Sequence, residues 1–376
     1  MKDFKAGTYQ NQGHYKSFQP EMINRQWHIE DMELLTLLGK ADRQIGRLDM
    51  YSEYIPNIDL FISMHVYKEA TQSSKIEGTK TNMEEAILEK DDLTTEKRDD
   101  WQEVQNYIIA MRQAITDLKD IPFSTRLIKN THKILLQGAR GKHKLPGEFR
   151  KSQNWIGGAT INDASFVPPM HAYISDYMSD LEQFVHNETV YFPDLLKIAL
   201  VHYQFETIHP FLDGNGRVGR LMVTLYLVEK GLLKKPILYL SDFLEKNRSL
   251  YYDNLTKVRS QDNILQWFKF FLVGVLETAK SSIATFDNIL KLQKKSEEQI
   301  QTLGSRATNA QLILNYLFQK PVIDALKARE ITGLSLPSVY TLLSKMEELG
   351  ILSLVKEATR RKLYSFKSYV GLFSWP

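Results

Sequence analysis

Apolar residues recur along most of the chain at the three- and four-residue spacing of an amphipathic helix. This spacing predicts helices at 30–50, 59–77, 82–90, 99–118, 123–137, 173–186, 193–208, 216–231, 242–260 and 263–300. One stretch breaks the pattern and predicts two short strands, at 152–158 and 164–167, which end before two consecutive prolines. The pattern therefore predicts a mainly α-helical bundle from which one β-hairpin projects.

The pattern changes near Gly304, where the helical segments become short and strand-like runs appear. The elements predicted there are helices at 310–318, 323–329 and 337–349 and strands at 351–356 and 362–366. A helix–turn–helix followed by a basic hairpin is the element order of a winged helix. The chain is therefore expected to form an N-terminal helical region at 1–110, a helical core at 111–300 and a winged-helix domain at 301–376.

The composition is that of an ordinary globular protein, with 43% hydrophobic and 25% charged residues among 376. The absence of cysteine excludes disulfide bonds, thiolate catalysis and thiolate metal sites. The first 20 residues contain no apolar signal-peptide core, and no apolar run approaches the length of a membrane span. A cytoplasmic protein without a membrane partner is expected.

The net charge of +3 is unevenly distributed. Residues 301–376 hold ten Lys and Arg against five Asp and Glu, which gives +5 and leaves −2 for the rest of the chain. A basic C-terminal module makes DNA a candidate partner, whereas a merely solvated basic face would give the same count. The candidate DNA contacts are Ser338, Tyr340, Thr341 and Lys345 on the third helix and Arg360, Arg361 and Lys362 on the hairpin.

The run from His209 to Arg220 concentrates polar chemistry between two apolar helical segments. It reads His-Pro-Phe-Leu-Asp-Gly-Asn-Gly-Arg-Val-Gly-Arg and forms a loop that opens onto a helix N-terminus. Gly214, Gly216 and Gly219 let main-chain N–H groups approach an anion. The positive end of the helix dipole adds to that attraction. A phosphate site is therefore expected here.

The other side chains of this run complete the expected site. Arg217 and Arg220 are three residues apart, so they share a helix face and can clamp separate phosphates. Asp213 can hold a hard cation such as Mg²⁺, and Asn215 can donate to a phosphoryl oxygen. His209 supplies a base near neutral pH.

The same run resembles the Fic family signature, His-x-Phe-x-(Asp/Glu)-Gly-Asn-Gly-Arg-x-x-Arg, at every defined position. The resemblance extends from about Met22 to Ile300, because the predicted hairpin, the Pro-Gly-Glu-Phe-Arg run at 146–150 and the segment 247–252 are also similar to family segments. It implies a Fic-fold helical bundle whose catalytic core is 111–300 and whose hairpin is a flap over the site.

Fic proteins mostly transfer AMP from ATP to a hydroxyl group of a target protein. The resemblance implies that His209 deprotonates a Ser, Thr or Tyr hydroxyl and that Asp213 binds Mg²⁺ or Mn²⁺ between the α- and β-phosphates. The implied phosphate ligands are Gly214, Asn215, Gly216, Arg217 and Arg220.

The hairpin is expected to receive the target as an added strand. The flap residues so implied are Trp155, Ile156, Gly157 and Gly158. Tyr251 and Tyr252 match family positions that line the adenine pocket.

Ser73 and Glu77 stand one helical turn apart, just before Gly78. This run resembles the inhibitory motif of the family, (Ser/Thr)-x-x-x-Glu-(Gly/Asn). The resemblance implies that Glu77 pairs with Arg220, removes a γ-phosphate ligand and so lies at the ATP site itself. Some relatives use the same glutamate to remove AMP, so the reverse reaction remains an alternative.

Other functions remain open. The same scaffold can transfer UMP, phosphocholine or a phosphoryl group as in Doc relatives. A protein of another class, a DNA-binding regulator whose Fic core senses a nucleotide, would also carry these motifs. A homodimer is a further alternative.

Overall fold

The computed structural model describes residues 1, 4–55, 58–138, 141, 143–355 and 362–373. The helices in this part of the chain are α1 Met32–Tyr54, α2 Ile58–Ile76, α3 Met83–Ala86, α4 Arg98–Asp117, α5 Thr125–Leu135, α6 Ile174–His186, α7 Asp194–Ile208, α8 Asn215–Glu229, α9 Ser241–Lys246, α10 Arg248–Gln261, α11 Ile264–Gln301, α12 Ala307–Gln319, α13 Ala325–Thr332, α14 Leu336–Glu348 and α15 Lys367–Gly371. The strands are β1 Gly7–Asn11, β2 Lys16–Pro20, β3 Val322–Asp324, β4 Ser353–Leu354 and β5 Leu363–Ser365. The fold is mainly helical, as the apolar spacing predicts.

Main-chain contacts divide the chain into two units. The first contains Met1–Met50 and Asn106–Ala279, and the second contains Tyr51–Gln105 and Lys280–Pro376. Each unit has its own apolar core.

The core of the first unit is built round α7. Every residue from Leu195 to Ile208 is buried, the polar His202, Gln204 and Glu206 included, because this largely apolar helix packs against α6 and α8. Trp267 of α11 donates its indole N–H to the carbonyl oxygen of Ala199 at 2.8 Å, which ties α11 to the same helix. The loop after α7 therefore begins from a fixed point.

Near the flap, the strand prediction needs two corrections. The strands predicted at 152–158 and 164–167 are reduced to one antiparallel bridge between Ile156 and Phe166. Gly157 and Gly158 have φ of 70° and 74°, so the chain leaves the extended conformation immediately after the bridge.

The sequence pattern also does not predict the β1–β2 hairpin. The main-chain N–H of Phe18 in β2 donates to the carbonyl oxygen of Val167 at 2.9 Å, so β2 lies beside the flap.

Two predicted helices differ from the structure, and the one predicted at 82–90 is shortened to α3, Met83–Ala86. The helix predicted at 242–260 is two helices, α9 and α10, which meet at Asn247 with φ −108° and ψ 32°. The side-chain amide of Asn247 donates to the carbonyl of Phe243 at 2.9 Å, which competes with continuation of the helix.

In the second unit, α2 packs against α12 through an edge-to-face contact of Phe61 and Phe318, with ring centroids 5.4 Å apart. His65 of α2 lies against Phe286 and Phe373 at 4.7 and 5.0 Å. The three short strands form an antiparallel sheet in the order β3-β5-β4. The order α12, α13, α14, β4, β5 follows the sequence prediction, whereas β3 occupies the predicted start of the second helix and is not predicted as a strand. The predicted hairpin-tip residues Arg360 and Arg361 lie outside the described residues.

Among the helices that the structure describes, none has the length and apolar character needed to cross a membrane.

Candidate active site

Helix α7 ends at His209, which adopts a left-handed conformation with φ 49° and ψ 60°. A non-glycine residue pays a steric cost there, on the order of 1–2 kcal/mol, so the surrounding structure must hold it. The turn is closed by the N–H of His209, which donates to the carbonyl of Phe205 at 2.9 Å. The turn directs the chain into the loop that connects α7 to α8.

Asn215 closes this loop from within. Its side-chain oxygen accepts the N–H of Phe211 and its amide donates to the carbonyl of Phe211, both at 2.8 Å. One of the two side-chain amide hydrogens of Asn215 is thus donated within the loop. The structure gives Asn215 a loop-closing role beside the predicted contact to phosphate.

His132 of α5 supports the same loop from outside. The N–H of Gly147 donates to its Nδ1 at 2.9 Å, so the proton is assigned to Nε2, which donates to the carbonyl of Asp213 at 3.0 Å. Its ring stacks on Phe211 with centroids 3.7 Å apart. Burial lowers the pKa of His132 to about 4, which keeps the ring neutral. A histidine this far upstream gives no local sequence signal of such a role.

Helix α8 begins without a side-chain cap. Gly214 is its N-cap residue, with φ 78°, and the first helical N–H groups belong to Asn215, Gly216 and Arg217. Uncapped N–H groups at a helix start form an anion-binding site.

The three glycines of the signature do not share one role. Gly219 has an ordinary helical backbone, and a Cβ there would lie 2.4 Å from Oε1 of Glu206 and 3.2 Å from the ring of Phe205. Gly219 therefore permits close packing of α8 on α7, a role that the sequence analysis does not predict.

Asp213 and Arg217 lie together at the start of α8. The guanidinium Nη2 of Arg217 is 3.6 Å from Oδ1 of Asp213, and the side chains are 5% and 46% exposed respectively. The same Oδ1 accepts the N–H of Gly214 at 2.6 Å. Arg220 follows one turn later and is buried.

The residues present fit a divalent cation held by one protein ligand. Asp213 offers a half-exposed carboxylate, the oxygen ligand that Mg²⁺ prefers. Within the described residues, no three His, Cys, Asp or Glu side chains cluster as a metal site. A cation at Asp213 would therefore take its other ligands from phosphate and water.

The predicted adenine residues differ in environment. Tyr251 is 1% exposed, and its hydroxyl lies 2.9 Å from Nε2 of His202. Tyr252 is 40% exposed, with the guanidinium of Arg248 6.0 Å from its ring. Tyr251 therefore belongs to the core of the first unit, whereas Tyr252 presents an accessible ring face.

The flap is joined directly to the signature loop. The amide of Asn154 donates to the carbonyl of Phe211 at 3.0 Å. Ile156 makes the bridge described above, and Trp155 is 41% exposed. Asn154 is a further loop contact that the sequence pattern does not single out.

The predicted inhibitory residues lie in the second unit, at the end of α2. Ser73 is buried and Glu77 is exposed. Gly78 has φ 101° and donates its N–H to the carbonyl of Lys75 at 3.0 Å, which gives the helix end that the glycine predicts.

Comparison with known proteins gives two family matches and several relatives. The Fic/DOC family N-terminal model matches residues 35–116, and the Fic/DOC family model matches residues 122–227. A protein adenylyltransferase Fic of Aedes aegypti is 32% identical over 125 residues, which are 33% of this chain and 22% of that protein. A probable protein adenylyltransferase of Aquifex aeolicus strain VF5 is 28% identical over 177 residues, 47% of this chain and 52% of that protein.

The chain thus spans about a fifth to a half of the length of these curated relatives. The crystal structure of a Fic family protein from Desulfovibrio desulfuricans G20 superimposes with a TM-score of 0.58 at 19% identity, and the match covers 91% of this chain and 98% of that chain. The second family model includes the whole run from His209 to Arg220. The chain therefore belongs to the Fic/DOC family.

Proposed function

We propose that this protein is a protein adenylyltransferase that moves AMP from ATP to a Ser, Thr or Tyr hydroxyl of a target protein and of itself. The observation that carries the proposal is the uncapped start of α8, with the Asp213–Arg217 pair and the fixed turn at His209 beside it. The curated relatives named above, which are described as adenylyltransferases, support it.

In the proposed reaction, the hydroxyl oxygen attacks the α-phosphorus of ATP. A bond forms between these two atoms, the bond from the α-phosphorus to the bridging oxygen breaks, and pyrophosphate leaves. His209 takes the hydroxyl proton as general base. The chain's main contribution is to position the groups and neutralise charge, as phosphorus transfer requires.

The phosphates would lie against the first N–H groups of α8. Arg217 would exchange its contact with Asp213 for a phosphate oxygen, which frees the carboxylate for a divalent cation. Mg²⁺ or Mn²⁺, when bound, supplies neutralisation of the phosphate charge. Arg220, one turn along the helix, would reach the γ-phosphate, and the accessible face of Tyr252 would stack on adenine.

Intact-mass spectrometry after incubation with ATP and Mg²⁺ tests the proposal. An AMP-sized adduct on a hydroxyl residue, absent in His209→Ala, supports adenylyl transfer. A phosphate-sized adduct supports a kinase, and adducts formed only from UTP or CDP-choline support UMP or phosphocholine transfer. Nucleotide binding without any adduct supports a sensor.

We also propose, on the sequence motif, that Glu77 inhibits transfer by pairing with Arg220. Because Glu77 is exposed at a helix end, Glu77→Gly should leave the fold intact. Faster self-labelling with radioactive ATP by Glu77→Gly than by the parent is expected. Equal rates would contradict inhibition, and faster loss of AMP from a labelled parent than from the variant would support the reverse reaction.

For residues 301–376 we propose a winged helix, which the element order supports. We also propose that the protein is cytoplasmic. Ser338, Tyr340 and Thr341 are exposed on α14, whereas Lys345 is 2.7 Å from Glu348, which offsets its charge. Fluorescence anisotropy with duplex DNA at increasing salt separates the alternatives. Affinity that falls steeply with salt supports DNA binding. No binding supports a protein contact, such as a homodimer.

A further inference from the structure

Arg150 is one of the largest fully buried side chains of the described residues, at 2% exposure. Its Nε donates to the carbonyl of His209 at 3.0 Å, and Nη2 donates to Ile208 at 3.4 Å. Nη2 also donates to Pro169 at 2.5 Å, and Nη1 donates to Ser152 at 3.1 Å. In addition, its main-chain N–H donates to the carbonyl of Pro210 at 2.9 Å.

These contacts join three segments through one planar group. Ile208 and His209 form the end of α7, while Ser152 and Pro169 are at the two ends of the flap. Within the described part of the chain, the hydrogen-bond partners of the guanidinium are main-chain carbonyl oxygens.

Burial of a cation without a carboxylate partner is costly, and here burial lowers the pKa of Arg150 to about 10. The group stays charged at neutral pH, and the negative end of the α7 dipole favours it. Filling the space does not require a guanidinium, whereas an apolar side chain would leave the carbonyl oxygens of the helix end and of the flap without this donor.

We propose that Arg150 is a positioning residue: it holds the left-handed turn at His209 and fixes the flap relative to that turn. This inference rests on the proposed function, because its consequence is that a hydroxyl delivered along the flap meets the imidazole of His209. Only a rigid fork can satisfy both the helix end and the two flap ends. A lysine would keep the positive charge, but its single ammonium group could donate to only one of these segments at a time.

Arg259 offers a matched control. This arginine of α10 also contacts α7, donating to the hydroxyl of Thr207 and to the carbonyl of Glu206, both at 3.2 Å. Its guanidinium lies 3.8 Å from the ring of Phe166, a contact that a lysine can keep. Arg259 therefore contacts α7 before the turn, whereas Arg150 contacts the turn residue His209 itself.

The test compares Arg150→Lys, Arg150→Met and Arg259→Lys with the parent. ATP affinity is measured by calorimetry, and the self-labelling rate is measured at saturating ATP. We expect Arg150→Lys to lower the rate about 10- to 100-fold with ATP affinity within about twofold, because small misplacement of reacting groups has large kinetic effects. Arg259→Lys should stay within about threefold of the parent. A parental rate for Arg150→Lys, or equal losses in Arg150→Lys and Arg259→Lys, would overturn the proposal.

Hydrogen exchange gives a readout that does not depend on activity. We expect faster amide exchange in 152–169 and in 208–214 for Arg150→Lys, and in neither for Arg259→Lys. Unchanged exchange in both segments would overturn the proposal even if the parent transfers nothing. An inactive parent and an inactive Glu77→Gly protein, together with the expected exchange, would reject adenylyl transfer and keep the positioning role. If Arg150→Met does not fold, the two lysine variants still decide the outcome.

Discussion

Two helix ends carry the predicted chemistry of this protein, and they are built differently. Helix α7 ends at a left-handed histidine, His209, whereas α2 ends before a left-handed glycine, Gly78. Glycine adopts this conformation freely, while a histidine there is strained by about 1–2 kcal/mol. The strained residue is the proposed base, and the unstrained turn follows the proposed inhibitor.

The contacts that hold the two helix ends also differ. The loop after α7 is held by side chains from other segments, namely His132, Asn154 and Arg150. The turn after α2 is closed by main-chain hydrogen bonds of its own, from Glu77 and Thr79 to Ser74 at 3.0 and 3.1 Å. The side chain of Asp100 in α4 supports it after the turn, where it accepts the N–H of Lys80 at 2.9 Å. Several segments therefore fix the loop that carries the proposed base, whereas the exposed Glu77 lies on a turn that is closed largely by its own main chain.

The largest expected effect removes the base. His209→Ala should lower self-labelling at least about 100-fold, because a general base contributes about 10²–10⁴. His209→Gly should lose labelling equally while unfolding at the same or a higher temperature, since glycine relieves the strained turn. Labelling rates and thermal unfolding measure the two effects. A glycine variant that is less stable than the parent would show that His209 has a structural role.

The packing of α8 on α7 is tested by Gly219→Ala. Its Cβ would displace Oε1 of Glu206, now 2.4 Å away, and would lie 3.2 Å from the ring of Phe205, so overpacking should cost about 1 kcal/mol in unfolding free energy. The control is Gly39→Ala in α1, where nothing lies within 4 Å, and an alanine should stabilise the helix by up to about 1 kcal/mol. Urea denaturation gives both values. Equal effects would mean that the α7–α8 contact is not tight.

Acid should destabilise both units through buried neutral histidines. Burial lowers the pKa of His65 in the second unit to about 3 and that of His202 in the first to about 4. The unfolded chain binds protons near pH 6.5, so stability is full above that pH and falls as the pH decreases towards 4. The loss is about 1.4 kcal/mol per pH unit for each histidine.

Urea midpoints at pH 7 and pH 5 measure this loss. His65→Leu should reduce the difference for the second unit. The Nε2 of His65 is buried without a hydrogen-bond partner among the described residues, so the variant should not weaken the protein at pH 7. An unchanged pH difference would contradict the assignment of His65 as a source of the acid sensitivity.

The sequence predicts the helices and the loop well, and the supporting contacts poorly. Apolar periodicity gives α7 and α8, and the signature gives His209 and Asp213. The family resemblance does not distinguish the buried Tyr251 from the exposed Tyr252, although the helical spacing places Tyr251 on the buried face with Leu255 and Val258. Periodicity also says nothing of His132, because a contact 81 residues away depends on tertiary packing rather than on local pattern.

The same limit explains the flap and the N-terminal hairpin. Apolar and polar positions at 152–167 suggest two strands, but the left-handed Gly157 and Gly158 confine pairing to a single bridge. The β1–β2 pair contains few apolar residues, and β2 is buried by tertiary contacts with α7, Tyr177 and Val167 rather than by its own pattern. Propensity alone does not find a short, largely polar hairpin whose strands are stabilised by tertiary contacts.

The smallest expected difference compares the two helix ends directly. Gly214→Ala and Gly78→Ala both place an alanine at positive φ, 78° and 101°. At Gly78 nothing lies within 4 Å of the new Cβ, so backbone strain of about 1 kcal/mol is the whole cost. At Gly214 the Cβ also meets Leu136 at 3.3 Å and the ring of His132 at 3.5 Å, which adds a fraction of a kcal/mol if the loop is rigid. Unfolding free energies from urea titrations should therefore rank Gly214→Ala as the more harmful change. Equal values would mean that the loop after α7 yields as easily as the turn after α2, and the distinction between a preset site and a local turn would no longer hold.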